Sequence, residues 1–218
     1  MNDDFINEDF LTVDQKTFQK IIESQTKEIG QWWQFLKELR ADYKLAKQVC
    51  ASQPKASFLR RIQIRNFCAL VEAQIHVWKL LTLKFHRMLR AELSDGEISI
   101  LNEKAYELDD KGNLQARSLH LPMAKNFTFA SKIYAKVFCC SKQIDFSKEG
   151  WVYVKEVFKV RDRLMHPKFA RGIEVEDNEI ACLGLAEKWF NNETRALFES
   201  QEDFEVITKK KKPSDGLN

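Results

Sequence analysis

A stripe of largely apolar residues keeps a four-three alternation from residue 18 to residue 50, and this constrains the fold more than any other feature. It runs Phe18, Ile22, Gln25, Ile29, Trp32, Leu36, Leu39, Tyr43, Ala46, Cys50. Residues three and four apart share one face of an α-helix, so the spacing predicts one long amphipathic helix over about 13–50. Thr12 followed by Gln15 fits a capping box at its start. Unbroken, it would be about 55 Å long, longer than a small domain. Gly30 is a place where it can bend. Such a helix either packs along its own domain or carries part of its stripe to a second subunit.

The rest of the chain extends the helical pattern. Ser52-Gln53-Pro54 breaks it, and apolar spacing from Phe58 through Ile62, Phe67, Leu70, Val71, Ile75, Trp78 and Leu81 to Phe85 predicts a second long helix over about 55–93. Ser94-Asp95-Gly96 ends that helix. A short helix is expected over about 97–106. Asp109-Asp110-Lys111-Gly112-Asn113 is a tight-turn signal, and 114–121 alternates loosely, so 97–121 reads as a short hairpin-like excursion. Further helices are expected over about 123–139, 148–166 and 176–204. Just 7 Gly and 4 Pro in 218 residues leave few places for loops. The expected class is all-α, an antiparallel bundle of four to five long helices. The domain reading is a leader and long helix packed on the core (1–52), a helical bundle (53–206) and a disordered basic tail (207–218) carrying Lys209–Lys212.

Several function classes fall away. There is no phosphate-binding glycine loop, dinucleotide fingerprint or serine-nucleophile elbow, so no cofactor is expected. The five cysteines, Cys50, Cys68, Cys139, Cys140 and Cys182, contain no C-x-x-C, which argues against a disulfide framework or zinc site. No metal is expected. No apolar run reaches the roughly 18 residues of a membrane span. The acidic start lacks a signal-peptide pattern, so a cytoplasmic protein without membrane contact is expected. The net charge of +3 is too mild to demand or exclude an anionic partner. The sixteen Phe and five Trp suit a large core or a subunit interface equally.

The chemistry concentrates in Val160-Arg161-Asp162-Arg163-Leu164-Met165-His166-Pro167. An apolar stripe passes through Trp151, Val154, Phe158 and Met165, and Arg161 falls on it, where a core helix would normally hold Leu. A buried guanidinium is costly unless paired, so its presence there points to a role. Asp162 and His166 are four apart, hence one above the other, and the carboxylate can orient the imidazole and favour its charged form. Pro167 disfavours helical geometry at His166, so the helix is expected to end there. Arg161, rotated roughly 100° from Asp162, can converge with that pair on one phosphate. Arg163 can reach an adjoining phosphate. Arg60, Arg61 and Arg65 form either a solvated face or a basic wall guiding RNA backbone, with Glu72 able to neutralise Arg65 instead. His76, His86 and His120 read as ordinary histidines, and Trp32-Trp33 as packing.

A helical bundle with Arg-Asp-x-x-x-His at the end of its penultimate long helix resembles the HEPN superfamily (higher eukaryotes and prokaryotes nucleotide-binding). That signature is Arg, a polar residue and, after a short gap, His; Arg161, Asp162 and His166 match it, and the four-helix core would cover about 55–205. The resemblance implies a metal-independent ribonuclease of toxin–antitoxin, abortive-infection (phage-defence) or RNA-processing systems. It further implies a homodimer in which two motif copies face each other as one composite site, single-stranded RNA as substrate, and in some settings a cognate antitoxin protein. Catalytic roles then fall to Arg161, Asp162 and His166, and substrate binding to Arg163, Arg65 and Arg61. Some smaller members carry Tyr two residues after the His; this chain has Lys168 there. Other members are non-catalytic modules that bind a nucleotide, RNA or protein, and the long first helix and modest charge agree with that alternative.

Overall fold

The computed structural model describes residues 15–201, with side chains from residue 27 onward (Ala170 excepted). Two compact units divide at Glu38/Leu39, inside the first helix rather than at the Ser52-Gln53-Pro54 break. Helix α1 (Gln15–Ser52) is continuous through Gly30. Its stripe is legible in the burial. Ile29, Trp32, Leu36, Leu39, Tyr43, Ala46 and Cys50 are shielded, and every other described side chain of the helix is exposed. Thr12 and the expected basic tail over 207–218 lie outside the described residues, and Phe18, Ile22 and Gln25 outside the described side chains.

The larger unit is a bundle of α2 (Ser57–Phe85), α4 (Met123–Val137), α5 (Glu149–Met165) and α6 (Asp177–Glu199). Helix α5 lies along α6, and α2 along α4, with α2 also meeting α5. An all-α bundle is therefore what the chain forms, with one small hairpin. Helix α2 stops eight residues short of the expected end. Arg90 adopts a left-handed backbone (φ 49°), and the Ala91 amide reaches back to the His86 carbonyl at 2.8 Å. This closing turn normally uses Gly, so an Arg in it leaves no sequence signal. The same turn ends α4, with Cys139 at φ 50° and Cys140 N–H donating to the Ala135 carbonyl.

Helix α3 (Asp95–Leu101) begins at a capping box between Ser94 and Glu97 and is shorter than expected, because Lys104 already opens a strand. Strands β1 (Lys104–Leu108) and β2 (Leu114–Ser118) pair antiparallel, Lys104 opposite Ser118 and Leu108 opposite Leu114. The Asp109 carboxylate accepts from the Lys111 and Asn113 amides at 2.9 and 2.8 Å, and Gly112 supplies a φ of 78°. That is the turn chemistry predicted for this segment.

Aromatic residues fill the bundle's core. Phe127 is fully buried and touches Trp78, Trp151, Trp189 and Phe190, with ring centroids between 5.4 and 6.3 Å apart. Burying residues of this size contributes about 1.5–3 kcal/mol each before entropy is counted. The Trp189 ring lies so close to the first turn of α5 that a Cβ on Gly150 would sit 2.3 Å from it. Glycine is the residue that lets the two helices meet there. Among the described residues, no helix is long and apolar enough to cross a membrane.

Candidate functional site

Helix α5 ends as its sequence requires. His166 leaves the helix (φ −129°, ψ 61°) just before Pro167, and its amide donates to the Asp162 carbonyl at 3.0 Å. Upstream, Trp151, Val154, Phe158 and Leu164 are buried as a core face, but Met165 is 48% exposed. Arg161 is likewise at the edge of the core rather than within its seam, its side chain 27% exposed. Proximity to water removes most of the desolvation cost that a central position would carry.

Its guanidinium is held from two sides. Nη2 donates to Glu72 Oε1 at 2.7 Å and Nη1 to Asp162 Oδ1 at 3.1 Å. The Glu72 partner comes from α2, so it is Arg161, not Arg65, that Glu72 neutralises. A pair this exposed contributes at most about 1 kcal/mol. Its structural effect is to aim the guanidinium. Asp162 thus serves Arg161 rather than the imidazole. The His166 ring is exposed, and among the described residues no side chain hydrogen-bonds to it.

Arg161 and Asp162 open onto a cavity of about 410 Å³ whose other polar walls are Glu72, His76, Glu103 and Asn126. His166 is not among its described walls. Three carboxylates and one guanidinium therefore line the cavity; Glu72 and Asp162 hold Arg161, and Glu103 is bridged at 3.0 Å by the buried Lys79 ammonium. Sequence reasoning missed His76 and Asn126 as neighbours of Arg161. The one signal was that His76 lies a helical turn beyond Glu72. Nothing local announces that α2 faces α5 at this height.

The remaining arginines hold the connection between α5 and α6. Arg65 Nη2 donates to the Leu164 carbonyl at 3.0 Å, and Arg61 Nη1 to Ile173 O at 3.2 Å and Ser57 Oγ at 2.7 Å. Arg163 donates to Glu174 O at 2.8 Å and grips the Glu179 carboxylate with Nη2 at 2.6 and 2.9 Å. Arg60 binds the Pro54 and Val175 carbonyls and the Asp177 carboxylate. Arg60, Arg61 and Arg163 satisfy carbonyls of a loop that has few backbone partners of its own, and Arg65 satisfies one in the last turn of α5. Arg61 and Arg65 each use one terminal nitrogen in these bonds, whereas Arg163, with Glu179 held by one nitrogen and Glu174 O by the other, would have to exchange bonds to contact phosphate. Arg60, Arg61, Arg65 and Arg163 thus clamp the segment leaving His166.

Thiol chemistry has little foothold nearby. Burial pushes the Cys68 thiol well above its ordinary range, with the Arg161 guanidinium pulling the other way. Among the described residues no three His, Cys, Asp or Glu side chains converge as a metal site. No family model, curated protein or solved structure matches this chain.

Proposed function

We propose that the chain is a metal-independent endoribonuclease of the HEPN type, acting as a homodimer on single-stranded RNA in a toxin–antitoxin, phage-defence or RNA-processing setting. One observation carries the reading. An oriented guanidinium and an exposed imidazole stand on consecutive turns at a clamped helix end. In the proposed step His166 takes the 2′-OH proton, and the freed oxygen attacks the adjacent phosphorus. Arg161 stabilises the developing charge, and the 5′-oxygen leaves with a proton drawn from water while the His166 imidazolium later returns its own to solvent, giving a 2′,3′-cyclic phosphate. Asp162 holds Arg161 in line. A reaction that needs the 2′-OH leaves DNA intact.

Two features support a site shared between copies. Within one chain the cavity beside Arg161 holds more carboxylates than cations, so phosphate needs further positive charge from elsewhere. Around His166, Met165, Phe169 and Ile173 are 48%, 79% and 40% exposed, an apolar surface suited to burial against a second copy.

The test is single-stranded RNA incubated with the purified protein in EDTA, beside His166→Ala. Cleavage by the wild type that the variant lacks sustains the proposal. Equal survival of RNA in both tubes at every pH overturns it. The Glu72 carboxylate at 2.7 Å from Arg161 favours the second reading, a non-catalytic HEPN-like module binding a nucleotide, RNA or protein partner. On that reading Arg161→Ala and His166→Ala alter stability or dimerisation, and no cleavage is seen with any variant.

A further inference from the structure

The most telling surface outside the motif lies along the first helix. From Leu39 to Ser52, α1 belongs to the larger unit and packs through its stripe, with Tyr43 and Cys50 buried. The Tyr43 ring meets Phe67 at 5.6 Å, and the Tyr43 hydroxyl and Lys47 ammonium donate to the Glu187 carboxylate at 3.1 and 2.7 Å. Two cavities lie end to end along the edge of this packing. One, of about 600 Å³, runs past Arg40, Tyr43 and Leu70, and the next, of about 390 Å³, past Cys50, Pro54 and Ile180. They share Lys47, Ala51 and Glu187 as a dividing bar. Most of the exposed wall in both is apolar.

The charge along the rim is one-sided. Lys47 and Arg60 are neutralised by Glu187 and Asp177. Arg40 and Lys44, one helical turn apart on the exposed lip, have no ion-pair partner among the described residues. From Arg40 to Ala51 the groove follows α1 for about 17 Å, and the second cavity continues it. This is the length of three helical turns, too long for a compact small molecule, and it is open along its side.

We infer that this groove docks an amphipathic helix from a partner protein, apolar on the face that enters and acidic where it passes Arg40 and Lys44. The apolar walls supply affinity, and the two unneutralised cations set the charge and direction of the guest. The inference stands independently of any ribonuclease activity.

The probe is a fluorescein-labelled peptide of about 15 residues, leucine at every third or fourth position and glutamate on the opposite face, titrated with the full chain and followed by anisotropy. A twin with lysine in place of glutamate is the control. The acidic peptide is expected to bind at least about tenfold more tightly than the lysine twin. Arg40→Glu with Lys44→Glu should reverse that preference, a result that a misfolded variant does not produce. Ala51→Trp, at an exposed position on the bar between the cavities, should abolish binding while leaving the melting temperature unchanged. Absence of binding, equal binding of the twins, or indifference to Ala51→Trp overturns the proposal. So does dodecanoate displacing the peptide completely, which assigns the groove to a small amphiphilic acid. Loss of peptide binding as the chain self-associates assigns it to a second copy, with the same consequence.

Discussion

The two ends of α5 are made by opposite means. At its start, Gly150 has no room for a methyl group under Trp189, and Trp151 stacks on Phe127 with centroids 5.6 Å apart. At its end, Asp162, Met165 and His166 are exposed, and Arg161 is positioned by charge. Shape decides the first end and electrostatics the second. The lesson concerns rigidity. A helix wedged into a close-packed core carries that immobility about 20 Å to its far end, where open chemical groups need it. Functional groups can then be solvated without being loose.

Four changes would break or sharpen this contrast. The largest effect is expected from His166→Ala, which should lower RNA cleavage by about 10²–10⁴-fold, in the range set by loss of a general acid–base. Its melting temperature should stay close to wild type, because the ring is exposed. A variant that unfolds instead would make the open end structural.

Gly150→Ala tests the closed end. Overpacking of this kind costs about 1–3 kcal/mol, so thermal unfolding should fall by several degrees. An unchanged melting temperature would mean that Trp189 moves aside easily and that the wedge is soft. Cleavage measured below the transition should change far less than in His166→Ala.

Glu72→Gln separates charge from geometry at the open end. The amide keeps a hydrogen-bond acceptor for Arg161 but releases its charge. We expect tighter RNA binding by a few-fold with a steeper salt dependence, and a stability change below about 1 kcal/mol. Weaker binding in filter retention would show that Glu72 serves as an orienting group and not as a competitor of phosphate.

The smallest effect is expected from pH at the closed end. Lys148, which precedes α5, donates to Glu193 at 2.6 Å, and that hydrogen bond with its charge raises the ammonium pKa. A cation with a raised folded-state pKa contributes stability that is fully present below its unfolded value of about 10.4 and is lost as pH rises through the folded value. Melts of wild type and Lys148→Gln should therefore differ at neutral pH and converge above that range. A difference that persists at high pH would point to packing of the lysine stem instead.

Periodic features were legible in advance. The four-three stripe of α1 predicted which of its described side chains would be shielded, because burial on a helix follows its 3.6-residue turn. Pro167 announced the end of α5, and the Asp109–Asn113 turn announced the hairpin, since both act through local backbone geometry. The end of α2 was not legible, because Arg90 occupies a left-handed position that usually signals itself as glycine. Nor was the clamp. Arg60, Arg61, Arg65 and Arg163 look on paper like free cations, and it is the helix end and the loop folding back across them that give them carbonyls to donate to.

By itself, the sequence determined the helical class, the shielded face of α1, and the place where Arg161, Asp162 and His166 sit on a helix end. Each of these rests on interactions between residues close along the chain. Tertiary structure alone decided that Glu72, 89 positions away, grips Arg161, that His76 shares its cavity while His166 lies outside, and that a groove runs beside α1 from Arg40 to Ala51. Such pairings depend on which faces of distant helices meet, and no local spacing encodes that.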